Sequence, residues 1–138
     1  MKISNGLVAL CALCALGIAS AQSTSPSSVS KTLGQTATVV WVAPTTYVTG
    51  VPIATGTVIT YSVYEAQQAA GTSCTAPSGA PVVTGLTATS YVTPTYTAVG
   101  VYCYDVTDTV AGAESAPSNV VSAVVSTPVP NAPSATIQ

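Results

Sequence analysis

The sequence contains no phenylalanine, no histidine and no arginine, and only 4% of its 138 residues are charged. Each absence removes a class of function. With lysine only at Lys2 and Lys31 as a cation, the chain cannot neutralise a run of phosphates, which excludes nucleic acid as a partner. Nucleophile activation and general-base chemistry would have to rest on four carboxylates, Glu65, Asp105, Asp108 and Glu114. Helical periodicity is missing from everything after the first 21 residues. A hydrophobic content of 48% with so little charge is the balance of many membrane proteins, yet only one long apolar run exists, at residues 6–19. Solubility must therefore come from serine and threonine hydroxyls.

That apolar run follows a short positive start, Met1-Lys2, and precedes Ala19-Ser20-Ala21, a small-x-small cleavage pattern. Together they read as a signal peptide over residues 1–21, with Gln22 as the first mature residue. A transmembrane anchor would need about 20 apolar residues, more than this run supplies. A lipidation site is excluded because Cys11 and Cys14 each follow leucine. Secretion, to an extracellular or periplasmic space, is the expectation. Removal of the segment leaves Lys31 as the sole cation, and Cys74 and Cys103 as the only cysteines. An even pair in a secreted domain reads as one disulfide. Two cysteines without histidine make a poor zinc set, and a redox pair normally sits closer in sequence.

What is present is a series of short β-branched runs separated by Gly, Pro and Ser, the pattern of an all-β sandwich or barrel. Residues 22–30 are Ser/Pro-rich and read as a flexible leader, with a first edge strand at 29–33 where Lys31 would discourage edge-to-edge pairing. Residues 36–43 alternate: Ala37, Val39 and Trp41 on one face, Thr38, Val40 and Val42 on the other. The face with the only tryptophan is the natural core face. Pro44 ends the strand. Further strands are expected at 58–65, with Tyr61 and Val63 in register, at 81–86, 89–93 and 120–125, and at 101–110, with Tyr102 and Tyr104 on one face. Residues 127–138 form a Pro-rich tail.

Residues 31–126 resemble a fibronectin type III domain of the kind common in bacterial and phage proteins. The stretch ATVVWVAP is similar to that family's second strand, where a tryptophan marks the core, and ITYSVYEA to its third. GLTATSYV resembles the turn and strand after the short fourth one, and AVGVYCYDV with AGAESAPSN resembles the sixth strand, its loop and the start of the seventh. The resemblance implies a seven-stranded antiparallel β-sandwich, immunoglobulin-like, with Trp41 as the plug between two sheets and Tyr61, Val63, Tyr102 and Tyr104 as core landmarks. The segment PTYTAVG departs from the glycine-leucine pair that often supports a tyrosine corner in this family, and it is one residue longer. The disulfide is a second departure. Alternation points Cys103 away from the Tyr102/Tyr104 face, so the bond would pin the long loop at Cys74 across the outer face, within reach of a reducing agent.

No catalytic set and no cofactor site emerges. Asp105 and Asp108 differ by three, so a continuous strand sends them to opposite faces, and Glu65 lies on another strand. Asp108 and Glu114 on one loop fall short of a calcium site, and no other metal site is expected. In the fold that the resemblance implies, the loops after the second and sixth strands share one end. Here these are residues 44–56 and 107–116, joined by the tip at Thr87-Ala88. That end is expected to show Tyr47, Val48 and Val51 beside Asp108 and Glu114, an apolar patch with a tyrosine suited to contact. Against this stands a reading in which Tyr47 and Ile53 fold back to cap the sandwich. The function implied is a non-catalytic interaction module for a protein partner. Alternatives are a structural accessory protein of a virion or surface layer, and a carbohydrate-binding module using Tyr47, Tyr64 and Tyr96.

Overall fold

The computed structural model describes residues 22, 23 and 28–135; the expected signal peptide at 1–21, the rest of the leader at 24–27 and the last three residues lie outside them. Nine strands follow one another: β1 Gln22–Ser23, β2 Ser28–Thr32, β3 Thr38–Val42, β4 Ile59–Gln68, β5 Val83–Leu86, β6 Ser90–Val92, β7 Gly100–Val110, β8 Ala113–Glu114 and β9 Val121–Ser126. One sheet runs β1-β3-β6; the other runs β2-β9-β7-β4-β5, with β8 hydrogen-bonded to β7.

The alternation that defines these strands in sequence also defines the core. Along β3, Val39 and Trp41 turn inward while Thr38 and Val42 stay exposed. Along β9, Val121, Ala123 and Val125 do the same. Tyr61 and Val63 of β4 and Tyr102, Tyr104 and Val106 of β7, in the same sheet as β9, join those β9 residues and meet β3 of the facing sheet in one apolar cluster. Trp41 and Tyr61 contact edge to face, with ring centroids 5.3 Å apart, a geometry worth about 0.5–1.5 kcal/mol beyond the area it buries. The fold is thus the all-β sandwich that the resemblance implies, with its core landmarks in place.

Three details differ from the sequence reading. The ladder between β2 and β9 is parallel, with Val29 opposite Ala123 and Lys31 opposite Val125, so that sheet is mixed. Gln22 and Ser23, read as flexible leader, pair antiparallel with Val42 and Trp41 of β3. The third concerns Cys103. The structure joins it to Cys74, with Cα atoms 5.7 Å apart and a sequence separation of 29. It lies on the outer face of β7, as alternation requires, yet it is fully buried. The bond itself holds residues 69–82 near that face, so a reagent can approach it only from the half-buried Cys74 side.

The longer PTYTAVG segment still makes a tyrosine corner. The Tyr102 hydroxyl donates to the Ala98 carbonyl, 3.2 Å away, and its ring packs on Tyr96 at 4.6 Å between centroids. Gly100 makes the corner possible. Its φ is +153°, and a Cβ there would sit 2.6 Å from the Gln68 carbonyl oxygen. Such a conformation and such a gap admit only glycine.

Candidate functional site

The register fixes which loops share an end. Ile59, the first residue of β4, pairs with Val110, the last of β7. The Trp41 amide at the end of β3 donates to the Thr89 carbonyl in the β5–β6 turn, 3.1 Å away. The β3–β4 connection, the β7–β8 turn and the β5–β6 turn therefore gather at one end of the sandwich.

The β3–β4 connection, residues 43–58, is a narrow hydrogen-bonded hairpin. Thr46 bridges Pro52. The Tyr47 amide donates to Val51 O at 2.8 Å, Gly50 to Tyr47 O at 2.8 Å and Ile53 to Thr45 O at 2.9 Å. Gly50 turns the chain at φ +81°. This scaffold holds Tyr47 and Ile53 half-buried and leaves Val48 65% and Val51 54% exposed. Its two roots add Val42 at 53% and Val58 at 70%. Neither Tyr47 nor Ile53 is among the side chains packed on the core cluster, so their partial burial lies within the hairpin, and the valines face solvent.

The acidic residues expected beside them are placed elsewhere. Strand β7 continues through Val110, so residues 107–110 are ladder and not loop. Asp108 is fully buried, opposite Tyr61 and in the register of Tyr104, Val106 and Val110. A strand position inside the sandwich cannot front the loop end, and Asp108 leaves the set of surface residues. Burial, and then the charge of Asp108, raise the phenol pKa of Tyr61 above its ordinary value. Glu114 opposes Thr109 and lies over the outer face of the sheet. Its Oε1 accepts from the Thr107 hydroxyl at 2.6 Å and the Tyr64 hydroxyl at 2.8 Å. Those two bonds, Thr107 first, hold its carboxyl below the usual range. Asp108 and Glu114 are thus separated by the thickness of the sheet and cannot share a cation. Among the described residues, no group of three or more His, Cys, Asp or Glu could hold a metal ion.

The three tyrosines considered for carbohydrate stacking do not form a platform. Tyr96 is buried in the core, where its hydroxyl accepts from Tyr104 at 3.3 Å. Tyr47 sits in the hairpin, and Tyr64 is half-buried on the outer face with its hydroxyl on Glu114. Sequence reasoning passed over two features. One is the pair of root valines, Val42 and Val58, which flank the loop boundaries and were read as strand. The other is Asp105, 2% exposed on the outer face. It shares the parity of Cys103, so the alternation that set the cysteine under the pinned segment also applied to it.

The fold is fibronectin type III-like. Its basis is the strand order, the tryptophan between the sheets and the tyrosine corner. No family profile matches the chain, and no curated protein does. Among solved structures, the crystal structure of a Fn3-like protein from Clostridium thermocellum is similar to it, at 22% identity and a TM-score of 0.43, over 84% of this chain and 99% of that one.

Proposed function

We propose that this protein is a secreted, non-catalytic binding module that engages a protein partner through the hairpin end of the sandwich. One observation carries the reading: Val48, Val51 and Val58 on the β3–β4 connection, and Val42 at the end of β3 where it begins, are all more than half exposed. The other exposed valines, Val82, Val92, Val99, Val124 and Val129, are spread over separate segments. Isolated exposed valines need no explanation, whereas several held together by a rigid hairpin in a hydroxyl-coated chain favour contact. A preformed hairpin also loses little conformational entropy on binding. Secretion is supported by the Cys74–Cys103 bond, which persists in oxidising compartments, and by the cleavage pattern at residues 19–21. Among the described residues, no helix is long and apolar enough to cross a membrane.

The test is the double substitution Val48→Ser/Val51→Ser. Exposed sites of this kind change stability by about 0.5 kcal/mol or less, so the melting temperature is expected to hold while proteins captured from the native host by the wild type are lost. An unchanged captured set removes the hairpin from consideration. A melting temperature lowered by several degrees, about 1 kcal/mol for a domain this size, means instead that the valines cap the core.

A further inference from the structure

On the outer face of the β4–β7 ladder, an open cleft of about 270 Å³ lies between the disulfide-pinned segment and the β7–β8 hairpin, with Tyr64, Pro77, Asp105, Thr107, Glu114 and Ser115 in its lining. Asp105 is 2% exposed, and its Oδ2 has no hydrogen-bond partner. Burying a carboxyl oxygen in that condition is costly, so it calls for an explanation, and a ligand that completes it is one.

The hydrogen-bond inventory of the cleft decides what that ligand is. The Tyr64 and Thr107 hydroxyls both spend their hydrogens on Glu114 Oε1, at 2.8 and 2.6 Å. The Ser115 hydroxyl donates to the Ala116 carbonyl at 2.8 Å and accepts from the Asp108 amide at 3.0 Å. The remaining polar groups are two carboxyls, which are acceptors when ionised. The side chains of this cleft therefore offer acceptors and almost no donors. An anion is repelled, and a sugar hydroxyl, which both gives and takes a hydrogen bond, meets only half of its needs. A group with several donors and a positive charge meets all of its own. Lys31, the only cation among the described residues, cannot supply it, because it stands on β2 with β9 between it and β7.

We propose that this cleft binds an alkyl-ammonium group, with Asp105 and Glu114 as its counter-ions and Tyr64 and Pro77 beside its methylenes. The ammonium gives three hydrogen bonds from a compact charge. The ring face of Tyr64 suits both the charge and the stem. Burial holds the Asp105 carboxyl above its usual range, and an ammonium beside it would favour the ionised form. Two sources carry this chemistry, a lysine side chain presented by a partner protein and a free diamine. The site is independent of the valine hairpin, so the failure of one reading leaves the other standing.

The test is an amide-resolved NMR titration of the full disulfide-bonded chain at low salt. The probes are Nα-acetyl-lysine methylamide and cadaverine, with Nα-acetyl-norleucine methylamide as the uncharged control and calcium chloride as the metal control. Saturable shifts at the amides of Asp105, Thr107 and Ser115 are expected with both ammonium probes and not with norleucine. Tighter binding of cadaverine assigns the source to a free diamine, and tighter binding of the lysine probe assigns it to a partner side chain; either result supports the site. Glu114→Gln, at an exposed position, and Asp105→Asn should each weaken binding by about tenfold without lowering the melting temperature. The proposal is overturned if the ammonium probes give no saturable shift, if norleucine binds as well as lysine, if calcium moves the same amides more strongly, or if Glu114→Gln leaves the affinity unchanged.

Discussion

Strand β7 is buried on both faces, and the two faces are closed by different means. Inside, Tyr102, Tyr104 and Val106 join the apolar cluster that Val39 and Trp41 complete from the opposite sheet. Outside, Cys103, Asp105 and Thr107 are equally hidden, but the nearby chain is a segment without regular strand, tied by one disulfide, and a two-residue hairpin strand. The inner closure is shared among many side chains and opens only with the sandwich. The outer closure depends on a few polar contacts and one covalent bond, so it can loosen while the ladder stays intact. Stability therefore rests mainly on the first face, and the second can open without it.

The largest effect separating the faces should come from Trp41→Ala. Loss of a buried aromatic of this size costs about 3–5 kcal/mol, a large share of the 5–15 kcal/mol that holds a typical domain. Urea unfolding measures it directly. The native tryptophan emission should be blue-shifted and poorly quenched by acrylamide, and emission like that of free tryptophan would contradict the burial of this side chain. Next in size is Gly100→Ala, where the backbone must abandon φ +153° or press a methyl group against the Gln68 carbonyl. A loss of about 1–3 kcal/mol is expected, accompanied by release of the Tyr102–Ala98 corner. A silent substitution would mean that the corner does not constrain the start of β7.

The smallest effect lies on the outer face and has the opposite sign. Burial raises the pKa of Asp105 in the folded chain. The stability associated with its protonated form is complete below the pKa of the unfolded chain, and it is lost as pH rises through the folded value. The groups around it are Tyr64 of β4, Thr107 of β7 and Glu114 of β8, and none of them is a cation. Asp105→Asn should therefore melt higher than the wild type at neutral pH, with the difference closing in acid. A variant that melts lower at neutral pH would show that the carboxylate has a favourable partner.

Much of this was legible in the sequence because alternation is a local property. Thr38–Val42 could bury Trp41 only by turning Val39 inward with it, and the same rule set Asp105 and Asp108 on opposite faces. What alternation does not encode is which face ends up covered. In sequence, residues 107–110 fall both in the strand expected at 101–110 and in the loop expected at 107–116; pairing with Tyr61 and Thr60 keeps them in β7, so Asp108 is not a loop acid. Cys103 is expected to face outward, which is correct, and hence to be within reach of a reducing agent, which its burial denies; it and Asp105 on the same face are hidden where a segment rich in Gly, Ser and Pro, with no periodicity of its own, is tied down. The parallel ladder of β2 on β9 depends on contacts between the two ends of the domain, which no local pattern reports.

The most direct measurement of the difference between the two faces is amide hydrogen exchange of the oxidised and the reduced protein. With Cys74 and Cys103 reduced, stability is expected to fall by about 3 kcal/mol on the chain-entropy model. Residues 69–82 should lose protection while the β7 amides paired to β4 and β9 remain the slowest in the chain. Loss of protection in β7 together with the pinned segment would contradict the account, because it would make the outer closure part of the fold itself.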